Sequence, residues 1–202
     1  MVAWGDLLVH PREGDHLVEL YGDDDQLLAT HVGRYLAEGL RRLDGLVVIA
    51  MPAHTQAIAR YLADTEPVGT LEAERVGRLR YLDAAKTLSR LLKDGRPDAT
   101  LFHSVVSEHL GEARRRSGSG RVRAFGEMVG LLWTEGRRAE AASLEGFWNA
   151  ALLESGCSLY CAYPIDFAGA CPSSADLTPI VASHTHLCAG PATVISSGRA
   201  GH

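Results

Sequence analysis

The chain has 202 residues, of which 46% are hydrophobic and 22% charged, a composition typical of a globular protein that can bury a full core. Its formal net charge of −5 argues against a general nucleic-acid binder, because such proteins need a concentrated basic surface to neutralise phosphates. It contains no run of about 18 apolar residues and no signal peptide, so we expect one cytoplasmic domain over residues 1–202 without a membrane span.

Short apolar segments rich in β-branched residues recur along the chain and predict strands. The clearest is Leu46–Met51, a continuous apolar run of the kind found in a central parallel strand whose two faces are both covered. Pro52 ends this run, and a helix is expected to follow it. The predicted strands are His16–Tyr21, Leu46–Met51, Leu79–Leu82, Arg121–Phe125 and Ser158–Tyr163, with a further candidate at Thr193–Ile195.

Between these strands, apolar residues recur at the three- to four-residue spacing of a helix. Three consecutive aspartates, 23–25, precede the first helix, and we interpret them as a cap and not as a calcium loop, because nothing else nearby matches such a loop. The segment Asp94–Pro97 marks a clear break between two helices. The predicted helices are Gln26–Leu40, Ala53–Ala63, Ala84–Leu92, Asp98–Arg115, Val129–Glu135, Arg138–Glu154 and Leu177–Leu187.

Strands that alternate with helices of this length predict an α/β fold with three layers, a mostly parallel sheet and right-handed crossovers. The core is expected over about residues 16–187, and a short tail of small, polar residues follows position 190. The sequence contains no internal repeat and no domain linker.

A set of short segments, spread in order over most of the chain, carries a family resemblance. They are His16–Tyr21, Leu36–Leu40, Val47–His54, Asp94–Pro97, Val122–Val129, Leu131–Trp133, Leu144–Asn149, Cys161–Asp166 and His184–His186. Together they resemble the MEDS family, the sensory domain first described in a dichloromethane-responsive repressor and in methanogen and methylotroph regulators. The resemblance implies a RecA- or KaiC-like sheet that is used to sense small ligands, with hydrocarbon derivatives as the expected class.

The resemblance also implies a place upstream of DNA-binding or histidine-kinase modules. Too few residues follow the sensory segments to form such a module, so we expect the output to pass through a regulatory protein partner, such as a histidine kinase or transcription regulator, or through self-association. Two other functions stay open: a nucleotide-binding or hydrolysing enzyme with a non-standard phosphate loop, and an interaction subunit that binds no ligand.

A phosphate loop needs glycines whose backbone N–H groups wrap the phosphates, together with a Lys and a Ser or Thr. The turn 51–56 has no Gly and no Lys, and Pro52 removes a backbone donor. No G-x-S-x-G, H-E-x-x-H or zinc-deaminase motif is present either. We therefore expect a sensor that is not an enzyme and needs no cofactor.

In open parallel sheets, ligands bind beyond the carboxyl ends of the strands. Glu127 stands out there, because it directly follows a buried strand. Its carboxylate either binds a cation, contacts a ligand, or forms a structural ion pair, with Arg123 as the expected partner. Trp133, Phe147 and Trp148 either line an apolar pocket or belong to the core. The predicted ligand-binding set is Pro52, His54, Arg123, Glu127, Trp133, Trp148, Tyr163, Asp166 and His184, with Asp83 at the same edge.

No metal site is predicted, because the four cysteines, at positions 157, 161, 171 and 188, contain no C-x-x-C pair. His184 and His186 would point about 200° apart on the predicted helix, and so could share an ion only if the segment were extended. Chemistry at Cys161 would need a histidine nearby, and the sequence does not say which one.

Overall fold

A computed structural model describes residues 3–166, 173–189 and 193–196; Cys171 and most of the tail lie outside them. The strands are β1 (His16–Tyr21), β2 (Gly45–Ala50), β3 (Leu79–Asp83), β4 (Leu92–Lys93), β5 (Arg96–Pro97), β6 (Val122–Gly126), β7 (Cys157–Pro164), β8 (His186–Ala189) and β9 (Thr193–Ser196). The helices are α1 (Trp4–Val9), α2 (Asp25–Arg41), α3 (Pro52–Thr65), α4 (Pro67–Arg75), α5 (Ala84–Leu91), α6 (Ala99–Phe102), α7 (Glu108–Arg116), α8 (Met128–Thr134), α9 (Arg138–Ser155) and α10 (Ser174–Ser183), and a π-helical turn (His103–Ser107) joins α6 to α7.

The main sheet has the order β3-β2-β6-β7-β1-β8-β9. The first six strands in that order are parallel, and β9 pairs with β8 in the antiparallel direction. Helices α1–α4 pack on one face and α5–α10 on the other, each around its own apolar cluster. The predicted three-layer α/β fold with a mostly parallel sheet is therefore confirmed. None of the helices in the described ranges is long and apolar enough to cross a membrane.

The strand order contains a switch point. From β2 the chain moves outward to β3, whereas from the adjacent β6 it moves in the opposite direction to β7. Connections that leave two neighbouring strands in opposite directions open a crevice at their carboxyl ends, where ligands of such sheets bind. The crevice between β2 and β6 is therefore a candidate ligand site.

The predicted helix Leu177–Leu187 is wrong in its second half. Helix α10 ends at Ser183, His184 is extended (φ −116°, ψ 152°), and β8 then pairs with β1 so that Leu187 lies opposite Val18. This pairing satisfies backbone groups along the edge of β1, which a helix at residues 184–187 would leave open.

Two smaller elements are also absent from the prediction. Helix α4 begins at Pro67, whose fixed φ and missing N–H suit the first turn of a helix. Strands β4 and β5 form a hairpin across the predicted break, with Asp94 and Gly95 both at positive φ. Two consecutive residues in this conformation are what a two-residue hairpin turn requires.

Candidate functional site

The crevice between β2 and β6 is occupied by the carboxylate of Glu127, which is 4% exposed. Its Oε2 accepts a hydrogen bond of 2.6 Å from the backbone N–H of Met51, and its Oε1 makes a short contact with Nδ1 of His54. Glu127 is thus held from two sides by the start of α3. It satisfies an N–H at a helix N-terminus, where negative charge is favoured.

His54 links Glu127 to a second carboxylate. Its Nε2 lies 3.3 Å from Oδ1 of Asp25, and the ring of Tyr21 approaches edge-on at 6.0 Å. The hydrogen bond with Glu127 raises the pKa of His54 from 6.5 to about 9, so the imidazole is charged at neutral pH. These four residues form a polar group in which each charge has a partner.

An open cleft of about 370 Å³ lies beside this group, over the carboxyl ends of β2 and β3. Its walls include Pro52, Thr55, Gln56, Tyr81 and Asp83. The N–H at the start of α3 already binds the Glu127 carboxylate, and Asp83 adds another negative charge. Neither Lys nor Arg is among the described residues that line the cleft, so it lacks the positive charge that favours phosphate binding.

A smaller pocket of about 110 Å³ lies on the other face of the sheet, between α8, α9, α10 and β7. Its lining is mostly apolar, with Trp133 and Tyr163 as its aromatic residues. The guanidinium of Arg138 stacks over the Trp133 ring at 3.3 Å and donates to the Trp133 carbonyl. Inside the pocket, the Tyr163 hydroxyl donates to Oε1 of Glu145 at 2.5 Å. The other lining residues are Ala141, Ala142, Ala175, Asp176, Pro179, Ile180 and Ser183.

Behind this pocket four buried side chains meet: His16 of β1, Glu145 of α9, Cys161 of β7 and His184 after α10. Nε2 of His16 lies 3.3 Å from both Oε2 of Glu145 and Sγ of Cys161. Nε2 of His184 lies 3.3 Å from Oε1 of Glu145. We call these four residues the buried tetrad.

The second nitrogen of each tetrad histidine contacts an oxygen outside the tetrad. Nδ1 of His16 lies 3.1 Å from the Ser183 carbonyl and 3.1 Å from Oδ1 of Asn149, and Nδ1 of His184 lies 2.6 Å from the Ile180 carbonyl. Burial, with His184 alongside, lowers the pKa of His16 from 6.5 to about 3, so this ring is neutral at pH 7.

The acidic members of the tetrad respond to the same environment in opposite ways. Burial by itself raises the pKa of the Glu145 carboxyl, but the neighbouring histidines and the Tyr163 hydroxyl lower it to about 2. Burial and the adjacent Glu145 raise the pKa of the Cys161 thiol well above its usual value. The tetrad therefore contains an ionised carboxylate inside the apolar core.

Comparison with models of known protein families assigns the chain to one of them. The model of the MEDS family, described as the MEthanogen/methylotroph, DcmR Sensory domain, matches residues 15–185. The chain belongs to the MEDS family. The resemblance carried by the ordered segments is thereby confirmed, and the matched range contains the whole tetrad. A search of curated proteins finds no match to this MEDS chain.

The MEDS fold divides the predicted site residues into separate groups. His54 and Glu127 meet at the crevice, with Pro52 and Asp83 on the adjoining cleft, whereas Trp133 and Tyr163 line the apolar pocket. The remaining members of the set lie elsewhere: His184 in the tetrad, Trp148 in the core against Phe102 and beside Gly126, and Asp166 exposed beyond β7.

The expected pairing of Arg123 with Glu127 is wrong. Arg123 lies at the amino end of β6, where its Nε bonds Oδ2 of Asp44 at 2.8 Å. In an extended strand, four residues span about 13 Å, so the side chain of Arg123 cannot neutralise a group beyond the other end. The partner of Glu127 is His54.

His16 and Glu145 are absent from the predicted set. The signal for them lies in the burial pattern: His16 opens the apolar strand β1, and Glu145 occupies the buried face of α9 between Leu144 and Trp148. A His and a Glu at such positions must find polar partners inside the core. The tetrad also supplies a histidine beside Cys161, as chemistry at that thiol requires.

Proposed function

We propose that this MEDS domain senses a small, mainly apolar molecule in the pocket between α8, α9, α10 and β7. The observation that carries this proposal is an apolar pocket of about 110 Å³ lined by Trp133 and Tyr163. An apolar cavity of about 150 Å³ in another protein is large enough for benzene, so this volume suits a molecule of only a few heavy atoms. Hydrocarbon derivatives of one to four carbons have that size and polarity.

Two polar groups can orient such a molecule. The hydroxyl of Tyr163 lies inside the pocket and is fixed by its bond to Glu145, while Arg138 lies over Trp133 at the rim. Small-molecule pockets commonly combine apolar walls with a few such groups, which supply specificity. A hydroxyl or amine on the ligand could donate to the Tyr163 oxygen, whose own proton is bound to Glu145, and a hydroxyl or halogen could accept from the Arg138 guanidinium.

Helix α10 can report whether the pocket is filled. It provides Pro179, Ile180 and Ser183 to the pocket wall, and the chain leads directly from its end through His184 into β8. A ligand that contacts α10 favours the position of α10 that gives the better contacts, since a ligand shifts an equilibrium only through differential affinity. We therefore propose α10 and the β8 edge as the output surface.

Filling the pocket should abolish sensing. Ala142 lines the pocket from α9 and is exposed, so Ala142→Phe can place its ring in the pocket without entering the core. We expect it to weaken ligand binding at least about tenfold, because overpacking a site costs about 1–3 kcal/mol. Tryptophan fluorescence and thermal shift, measured with a panel of one- to four-carbon alcohols, amines and haloalkanes, give the affinity.

Ala139→Phe is the matched control, since Ala139 is exposed on the same helix and does not line the pocket. It should retain the affinity of the wild type. The proposal fails if no compound in the panel gives a saturable change, or if Ala142→Phe and Ala139→Phe bind equally well.

The nucleotide alternative gains no support from the geometry. The start of α3 binds Glu127, and Asp83 lines the adjoining cleft. A triphosphate would have to displace a carboxylate that is itself paired with His54. The apolar pocket on the opposite face favours a sensor over a nucleotide-hydrolysing enzyme.

We further propose that the domain self-associates through α4, as one route by which a sensor passes on its signal. Val68 and Leu71 lie one turn apart on α4 and leave 80% and 69% of their surfaces exposed. The apolar face of α2, by contrast, is buried against the sheet. Light scattering at micromolar concentrations should give the mass of an oligomer for the wild type and of a monomer for Val68→Glu/Leu71→Glu.

Leu153→Glu is the control for this experiment, because Leu153 is an exposed leucine on α9, outside α4. It should remain oligomeric. A monomeric wild type, or an equal effect of the α4 and α9 variants, would contradict the assignment.

A further inference from the structure

We propose that the buried tetrad of His16, Glu145, Cys161 and His184 binds one Zn²⁺ ion. The sequence predicts no metal site here, and the proposal stands whether or not the neighbouring pocket binds a ligand. It rests on the positions of four ligand atoms, on how they are oriented, and on their charges.

The four ligand atoms have the spacing of a metal site. All of them lie within 4.8 Å of one another. Nε2 of His16 lies 3.3 Å from both Oε2 of Glu145 and Sγ of Cys161, and Nε2 of His184 lies 3.3 Å from the other Glu145 oxygen, Oε1. Zn²⁺ bonds of about 2.0–2.3 Å in a tetrahedron put neighbouring ligand atoms about 3.3–3.7 Å apart. Small rotations of side chains would close the remaining difference.

The two histidines are oriented as metal ligands. In each ring Nδ1 lies within hydrogen-bond distance of a backbone carbonyl, that of Ser183 for His16 and that of Ile180 for His184. A proton on Nδ1 that donates to the carbonyl leaves the lone pair of Nε2 directed at the tetrad. This arrangement is the usual way in which proteins fix a ligating imidazole.

Hydrogen bonding alone does not account for the group. Oε2 of Glu145 is buried and accepts no hydrogen bond from the described residues, although a buried polar atom without a partner is costly. In the described part of the chain, the basic side chains within 4 Å of the Glu145 carboxylate are the two tetrad histidines, and neither Lys nor Arg is among them. A cation at the centre would satisfy this oxygen directly.

The charges and donor atoms select zinc. A thiolate and a carboxylate carry two negative charges and two neutral imidazoles carry none, so a divalent ion makes the buried site neutral. One sulfur, two nitrogens and one oxygen suit Zn²⁺, whereas Mg²⁺ and Ca²⁺ require mostly oxygen ligands. The ion would also join four segments that are distant in sequence, β1, α9, β7 and the link from α10 to β8.

Metal content and a cobalt spectrum test the proposal. The protein as purified should contain about one zinc per chain by mass spectrometry of the elements, because a buried four-ligand site holds its ion tightly. Zinc-depleted protein that is given equimolar Co²⁺ should show the near-ultraviolet thiolate-to-cobalt absorption together with tetrahedral visible bands. The thermal midpoint should rise on addition of Zn²⁺ alone.

Ligand variants identify the site. Cys161→Ser and His184→Ala should each lower zinc retention at least about tenfold, and Cys161→Ser should remove the thiolate-to-cobalt band. The controls are Cys157→Ser, a buried cysteine of the same strand outside the tetrad, and His103→Ala, an exposed histidine. Both should retain zinc, and Cys157→Ser should retain the band.

The proposal is overturned if folded wild-type protein contains less than about 0.1 zinc per chain and gives no thiolate-to-cobalt band. It is equally overturned if Cys161→Ser keeps the band or if Cys157→Ser loses it. If the ligand variants do not fold, the zinc content and cobalt spectrum of the wild type still decide.

Discussion

Arg123→Met should lower the free energy of unfolding by about 3–5 kcal/mol, because it removes the charged partner of the buried Asp44 carboxylate and leaves it, among the described residues, only the hydrogen bond from Ser119. Arg123 and Asp44 are 4% and 1% exposed, and their bond is 2.8 Å long. The same guanidinium donates to the carbonyls of Leu8, Val9 and Tyr35, and so ties α1 and α2 to the amino end of β6. Methionine keeps most of the packing volume and supplies none of these donors.

Urea unfolding of the two proteins measures this loss. Arg41→Met is the matched control, because Arg41 pairs with Glu38 and Glu66 at the surface, where an ion pair contributes at most about 1 kcal/mol. The double variant Arg123→Met/Asp44→Leu should be more stable than Arg123→Met, since it removes the unpaired charge as well. Equal losses for Arg123→Met and Arg41→Met would refute the prediction.

The stability of the wild type should fall as the pH rises from about 6.5 to 9, because His54 then loses its proton. The hydrogen bond with Glu127 raises the pKa of His54 from 6.5 to about 9. A pKa that is higher in the folded than in the unfolded protein means that the charged ring stabilises the fold. Its contribution to the free energy of unfolding is complete below pH 6.5 and is lost as the pH rises past 9. One pKa unit corresponds to about 1.4 kcal/mol, and we expect about 2 kcal/mol in total, since the Asp25 side of the ring is open to solvent.

Glu127→Gln should remove most of this pH dependence, because a neutral amide no longer favours the charged ring. Urea unfolding at pH 6 and pH 9.5 measures the difference for the wild type, Glu127→Gln and His54→Gln, with His103→Gln as the exposed control. NMR titration of His54 gives its pKa directly. A wild type and a Glu127→Gln variant with the same pH slope would show that this pair does not couple to folding.

A strand could be predicted from the sequence where its own residues determine its conformation. All six residues of β2 are buried, and its apolar run marks it without reference to any other part of the chain. Strand β8 was not predictable, because Leu187 and Cys188 continue an apolar pattern that fits a helix equally well. Its strand conformation depends on pairing with β1, which lies about 170 residues earlier. Local periodicity carries no information about such a partner.

The site was predictable only in part, for a similar reason. Glu127 could be predicted because it follows directly on a buried strand, and ligands of open parallel sheets bind at the carboxyl ends of such strands. The predicted set contains its partner His54, but the sequence predicts a pairing with Arg123, which is near Glu127 in sequence and distant from it in space. The tetrad required the alignment of β1 with β7, since His16 and Cys161 meet only through that register.

The position of β1 in the sheet also bears on how the chain folds as it leaves the ribosome. Both neighbours of β1, β7 and β8, come from beyond residue 156, and His16 pairs opposite Leu159, 143 positions later. Until that part is synthesised, β1 has an open edge on each side, and such edges promote association between chains. Contacts at this separation also slow folding, because the loop must close before any contact forms. The part of the sheet around β1 is therefore among the last parts of the molecule that can assemble.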